Sequence, residues 1–372
     1  MQPRISQERL TADFMELTTG SSESLDERRV ADLLTEKLQA IGFSVTEDDA
    51  GEKLVGNAGN LYGFLKGSIP GKPLLLSAHM DTVKPGQNKK PILHEDETFT
   101  SDGTTVLGAD DAAGLAEILE GIRSVREADI PHRDIEVLFP VAEEIYIRGS
   151  GVFDFSRIHA EEAYVLDMSG DVGSAAVRAP SLISFRVTVT GKASHAGFAP
   201  ENGIHAIAAA AAAIAKIPQG HVDEETTCNI GTITGGTQKN IVPEQCICTG
   251  EVRSFSHERA LYWIGEIRRC FAEAAENAGA GFEMETEEIL RSYCVPEDAP
   301  VVNRFRRACA ELGLAGTLRP TFGGSDNHNF LKAGISGIVL SCGMQRVHST
   351  EEHIAVRELL NGAALVARLI QE

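Results

Sequence analysis

Hydrophobic and polar positions follow two different patterns along this chain. In the first, short unbroken apolar runs alternate with stretches of helical spacing. Val30, Leu33, Leu34, Leu38 and Ile41 recur three and four residues apart until Gly42, which predicts a helix. Ser24-Leu25-Asp26-Glu27 just before them matches a capping box. Strands are expected at 43–45, 60–65 and 73–78, and 84–105 is polar enough to read as a loop or short hairpin. After Gly108-Ala109-Asp110-Asp111, the residues Leu115, Ile118, Leu119, Ile122 and Val125 mark an amphipathic helix. Apolar strands then reappear at 135–142, 163–166 and 335–340.

The second pattern begins after Pro180. Ile183, Phe185, Val187 and Val189 alternate with Ser184, Arg186, Thr188 and Thr190, as in an antiparallel strand with one buried face. A helix at 203–217, strands at 227–234 and 246–253, a helix at 257–277 with Leu261, Ile264, Ile267 and Phe271 inward, and a strand at 282–289 complete a β-α-β-β-α-β order. The fold class expected is α/β, a mixed and mostly parallel sheet flanked by helices, with an inserted α+β ferredoxin-like domain. Residues 1–180 and 292–372 form the first domain and 181–291 the insert; the chain returns to the first domain with a helix at 301–312.

Composition narrows the partners. The 372 residues carry a formal charge of −20 and a pI near 5.0, with no basic run interleaved with aromatics, which argues against nucleic acid. Residues 1–8 hold no apolar signal core and no apolar run is long enough to span a bilayer, so a cytoplasmic protein without a membrane partner is expected. Seven cysteines without C-x-x-C spacing indicate reduced thiols, with Cys246 and Cys248 on one face of a strand.

The chemistry gathers at strand ends. Leu74-Leu75-Leu76-Ser77-Ala78 delivers His79 and Asp81; the strand at 135–142 stops on Glu143-Glu144; the one at 163–166 ends on Asp167; the last leads through Gly343 to His348. Each has an ordinary explanation by itself: a strand-end histidine satisfied by a neighbouring aspartate, an aspartate capping a helix, a solvated loop glutamate. Together they do not, because strand C-termini of a parallel sheet share one edge, where these groups would converge. His79, Asp110, Glu144, Asp167 and His348 suit two zinc-like ions sharing one carboxylate, leaving Glu143 as general base on a bridging water, a centre suited to amide hydrolysis. His328 and His353 are not expected to be ligands, since 348–353 matches no zincin spacing, and no G-x-S-x-G elbow supports a serine hydrolase.

Ser77-Ala78-His79-Met80-Asp81-Thr82-Val83, Gly108-Ala109-Asp110-Asp111, Glu143-Glu144, Asp167, Ser194-His195-Ala196-Gly197 and the His348 segment resemble the aminoacylase and glutamate carboxypeptidase family of dinuclear zinc peptidases, most closely its peptidase T-like branch. The resemblance covers nearly the whole chain in order. It implies a zinc-exopeptidase-like fold, Asp110 bridging two divalent ions (zinc, with cobalt or manganese as alternatives), His79 and Asp167 completing one site, Glu144 and His348 the other, Asp81 orienting His79, and Glu143 as base. It further implies a homodimer through the insert, which would act as lid and dimerisation domain, with His195 reaching the partner's site. Asn240 in Lys239-Asn240-Ile241-Val242-Pro243 and Arg253 would grip substrate, and Gly323-Gly324-Ser325-Asp326 would line the pocket, with Gly324 among its contacts. One departure is plain: the branch has Lys where this chain has Ala112. The activity implied is an aminopeptidase acting on short peptides. The alternatives are a carboxypeptidase or N-acyl-amino-acid amidohydrolase with the same centre, or a non-catalytic peptide-binding protein.

Overall fold

The computed structural model describes residues 3–371 and divides into two compact units, 1–177 with 295–372, and 178–294. Met1 and Gln2, which open the polar N-terminal stretch, lie outside the described residues. Among those described, no helix is long and apolar enough to cross a membrane.

The larger unit is built on a sheet in which Ser44–Glu47, Leu61–Leu65, Ile135–Phe139, Leu74–Ser77, Glu162–Met168, Ser336–Ser341 and Ser174–Ala179 lie side by side in that order. The four strands Ile135–Phe139, Leu74–Ser77, Glu162–Met168 and Ser336–Ser341 are mutually parallel, and the outer pairings are antiparallel. Those four are the near-continuous apolar runs, because a parallel strand covered on both faces buries side chains on both; Glu136 interrupts Ile135–Phe139 and is itself buried, accepting from Tyr62 Oη and the Ala160 N–H. Leu75, Leu138, Ala163, Val165 and Val339 turn to one face and pack with Phe153 and Phe330. Their neighbours Leu76, Val137, Tyr164 and Leu340, equally buried, point the other way, to the face covered by the helices Ala109–Glu127 and Pro300–Leu312. The first of these helices lies so close that a Cβ at Gly114 would sit 2.4 Å from the Leu166 carbonyl oxygen, so only glycine fits.

The capping box at 24–27 does not cap. The helix runs Arg28–Ile41 with Glu27 at its N-cap and no side-chain cap bond, because Ser24 and Glu27 are engaged elsewhere. The structure adds helices at Gln7–Thr18 and Val356–Leu369, beyond the expected elements. The polar stretch 84–105 contributes the short strands Ile92–Leu93 and Thr98–Thr100, which are joined in a small sheet by His353–Ala355.

The smaller unit has its long strands in the antiparallel order Thr226–Gly235, Gln245–Ser254, Ser181–Thr190, Gly281–Leu290, with helices Ala206–Ile214 and His257–Ala278, a ferredoxin-like arrangement. The first helix starts at Ala206 instead of 203 because His205 accepts the Ala208 N–H and caps it. Ile264, Ile267 and Phe271 face the core as the spacing predicts, but Leu261 turns outward, half exposed, and Ala260 takes the inner position. Cys246 and Cys248 are free and buried in that core.

Candidate metal centre

All five proposed ligands lie in the larger unit, at or just beyond the C-terminal ends of the four parallel strands and at the start of the helix Ala109–Glu127. His79 Nε2 lies 3.1 Å from Asp110 Oδ1 and 3.6 Å from Asp167 Oδ1. His348 Nε2 lies 3.2 Å from the other Asp110 oxygen, Oδ2, and 3.0 Å from Glu144 Oε1. Asp110 therefore turns one oxygen to each imidazole. Donor atoms about 3.3 Å apart are what tetrahedral ligation at about 2.0 Å produces, so the spacing fits cations seated among these atoms.

Two groupings of ligand atoms within 4.8 Å emerge, His79 with Asp110 and Glu144, and His79 with Asp111 and Asp167. Asp111 is the weaker candidate of the two aspartates, since its oxygens already accept the backbone N–H groups of His79 (3.0 Å) and Gly114 (3.2 Å). Among the described residues no backbone N–H is given to the Asp110 carboxylate, which makes it the better-placed candidate.

Electrostatics agree with a site built for positive charge. Burial, followed by the Asp167 carboxylate, pushes Glu143 well above the usual carboxylate range. Burial raises Asp167 to about 7, helped by Asp110 and Asp326. Hydrogen bonding to Asp110 and Glu144 lifts His348 to about 10. Carboxylates crowded in this way favour a bound cation over bare anionic charge. Lys89, only 2% exposed, donates from Nζ to Ser22 Oγ at 2.5 Å and is lowered to about 8 by burial.

The ligand loops are held by carboxylates from one another. Asp111 accepts the His79 N–H. Asp81 accepts the N–H groups of Glu143 (2.9 Å) and Glu144 (3.1 Å), and Ser24 donates to it at 2.6 Å. Glu27, fully buried, takes the Ala142 N–H at 3.0 Å. Glu352 accepts from Gly108 and Asp110. Asp81 thus spends its carboxylate mainly on the 143–144 backbone; the acceptor nearest His79 Nδ1 is the Asp81 carbonyl at 3.0 Å, with Oδ1 at 3.4 Å. If that carbonyl takes the Nδ1 proton, Nε2 is left as a lone pair facing the acids. Ser24, Glu27, Asp111 and Glu352 had no signal in the sequence as holders of these loops.

Gly324 lies in the turn before Asp326, which is 1% exposed, bonded to Ser150 Oγ, and adds negative charge near Glu143 and Asp167. His328 is buried with Nδ1 3.1 Å from the Ser325 carbonyl, and His353 Nδ1 is 2.9 Å from the Glu351 carbonyl; neither joins the cluster.

His195, Asn240 and Arg253 belong to the smaller unit. The first two come together: His195 bridges Ile241, and Ala196 N–H donates to the Asn240 carbonyl at 3.0 Å. His195 Nδ1 accepts the N–H groups of Gly197 and Phe198, both at 3.1 Å, so the neutral ring carries its proton on Nε2 and presents a donor to solvent. Arg253, on the strand Gln245–Ser254, pairs through Nε with Glu251 at 2.7 Å.

Residues 178–279 match the model described as a peptidase dimerisation domain, M20_dimer, and residues 60–208 match peptidase family M28. The chain is 37% identical over 368 residues to the protein YqjE of Bacillus subtilis, covering 99% of each. Its fold superimposes on the crystal structure of a tripeptidase from Staphylococcus aureus with a TM-score of 0.95, at 35% identity over 99% of this chain and 98% of that one. An aminopeptidase PepT from Bacillus cereus gives 0.91 at 38% identity, with the same coverage.

Proposed function

The chain belongs to the peptidase T-like branch of the M20 metallopeptidases, and we propose that it removes residues from the amino end of short peptides at a centre of two divalent ions. The observation that carries this is Asp110, whose two oxygens address His79 and His348 separately, at 3.1 and 3.2 Å. His79 and Asp167 would hold one ion, His348 and Glu144 the other. Mixed imidazole and carboxylate donors suit zinc, and cobalt or manganese can occupy the same set. Two such ions lower the pKa of water and stabilise the charge that builds on a carbonyl oxygen under attack.

The protein's own groups supply the rest. Glu143, buried and held through its N–H by Asp81, takes a proton from the attacking water and delivers it to the departing amine. His195, with its proton on Nε2, donates to the carbonyl oxygen of substrate bound in the partner chain of a homodimer formed through 181–291. An edge suited to that contact exists, because among the described residues the strand Thr226–Gly235 pairs on its outer side with the two-residue strand Gly220–His221 alone, and Ile233 is half exposed. Asn240, Arg253 and Gly324 would hold the peptide, the guanidinium suiting its free carboxylate.

Elemental analysis and a substrate panel test the reading together. Purified protein is expected to carry close to two divalent ions per chain and to cleave tripeptides with a free amino end faster than N-acetylated ones. Preference for blocked peptides or N-acyl amino acids would shift the assignment to an amidohydrolase with the same centre.

A further inference from the structure

We propose that Glu352 is a positioning residue of this centre, fixing the backbone at Gly108 and Asp110 so that the two oxygens of Asp110 stay aimed at different imidazoles; the inference rests on the two-ion reading above. Glu352 is 1% exposed, and its carboxylate is divided between two donors: Oε2 accepts the Gly108 N–H at 2.7 Å and Oε1 the Asp110 N–H at 2.9 Å. Two charge-assisted bonds to residues two apart fix the rotation of the segment as well as its place.

The segment needs holding. Gly108 is left-handed at φ 75, and Asp110 and Asp111 are non-helical although they stand where the helix begins. Their N–H groups precede any intrahelical acceptor. The same loop also reaches Asp110 from the other side, since His348, four residues before Glu352, approaches Asp110 Oδ2. One loop thus governs both the backbone and a side-chain oxygen of the residue proposed to bridge the ions. The buried stem of Lys89 closes over Gly108, where a Cβ would lie 2.9 Å from Lys89 Cε, so the loop has little room to relax.

The acceptor pattern makes the test specific. In Glu352→Gln one oxygen can still accept, but the amide NH2 faces the second N–H and cannot pair with it. Metal-stripped wild type and variant would each be titrated with zinc or cobalt by calorimetry, their metal-free melting temperatures measured, and kcat and KM determined at saturating metal. The expected result is at least one equivalent bound about 10- to 100-fold more weakly in the variant, with kcat reduced and KM within about threefold. Two equivalents as tight as in wild type, whatever happens to the melting temperature, would reduce Glu352 to a folding residue and overturn the proposal. If wild type itself takes up fewer than two ions, the two-ion reading fails instead. Should Glu352→Gln not fold, Glu352→Asp, which keeps the charge and withdraws it by one methylene, is read by the same criterion.

Discussion

The two units bury very different things. Among the described residues, the smaller unit buries three polar side chains, Ser181, Thr226 and Ser254, and no charged one; its core is Val, Ile, Ala, Phe and Cys. The larger unit buries Glu27, Asp81, Asp110, Asp111, Glu117, Glu143 and Glu352, most of them near one sheet edge. A core of the first kind is stabilised mainly by apolar burial. One of the second kind stores electrostatic work that a bound cation can release, so stability and chemistry are linked in the larger unit and separable in the smaller.

The largest effect that would sharpen this contrast is expected at Asp110. Asp110→Ala should abolish measurable turnover and lower the content of both ions, read by elemental analysis; a full complement of two would show that it does not bridge. The same variant should leave the dimer intact by light scattering, because no charge is buried in the unit proposed to form it.

A second test asks whether the units work across chains. Glu143→Gln should retain its metal yet lose at least ~10² in kcat, and His195→Ala should be inactivated to a similar degree. Mixing the two inactive proteins under conditions that exchange subunits should then recover about a quarter of wild-type activity per chain, because half the dimers are mixed and each holds one complete site. No recovery, with exchange confirmed by a tagged chain, would confine His195 to its own chain or remove it from the reaction.

The smallest effect concerns stability. Glu117 is fully buried and, among the described residues, neither of its carboxylate oxygens has a hydrogen-bond partner; it packs so closely on Gly362 that an added Cβ there would lie 2.0 Å from its carboxyl carbon. Burial, then the charges of Asp111 and Glu358, raise its pKa well above the usual range. Its raised native pKa favours folding below the unfolded value, about 4.3, and that contribution is lost as pH climbs toward the native one. Glu117→Met should therefore stabilise the protein by about 1–3 kcal/mol near neutral pH, with a gain larger at pH 8 than at pH 5 in urea melts. A gain independent of pH would mean that folding does not raise the Glu117 pKa.

Much of the centre was legible because parallel strands announce themselves as near-continuous apolar runs and their C-terminal ends share an edge. His79, Glu144 and Asp167 could be read in that way, and Asp110 from the helix it opens. The inserted unit was legible from strict alternation between 182 and 190. Helix limits were less so, as Leu261 illustrates: a long amphipathic helix leaves the choice between adjacent inward positions to packing.

Sequence by itself therefore determined the element types, the order of the two units and the residue chemistry at the strand ends, since periodicity and side-chain type are local properties. Tertiary structure alone decided which carboxylates face the imidazoles and which hold the loops. Ser24-Leu25-Asp26-Glu27 has the form of a helix cap, yet Ser24 bonds Asp81 and Glu27 holds the Ala142 amide. Glu352 grips Asp110 from 242 positions away. Asp110 and Asp111 are neighbours of identical chemistry, and only the direction of the chain through Gly108 gives one to the imidazoles and the other to the His79 amide. A carboxylate accepts an N–H and ligates a cation with the same atoms, so its role is set by which donors the fold brings within about 3 Å, and that is information no stretch of sequence contains.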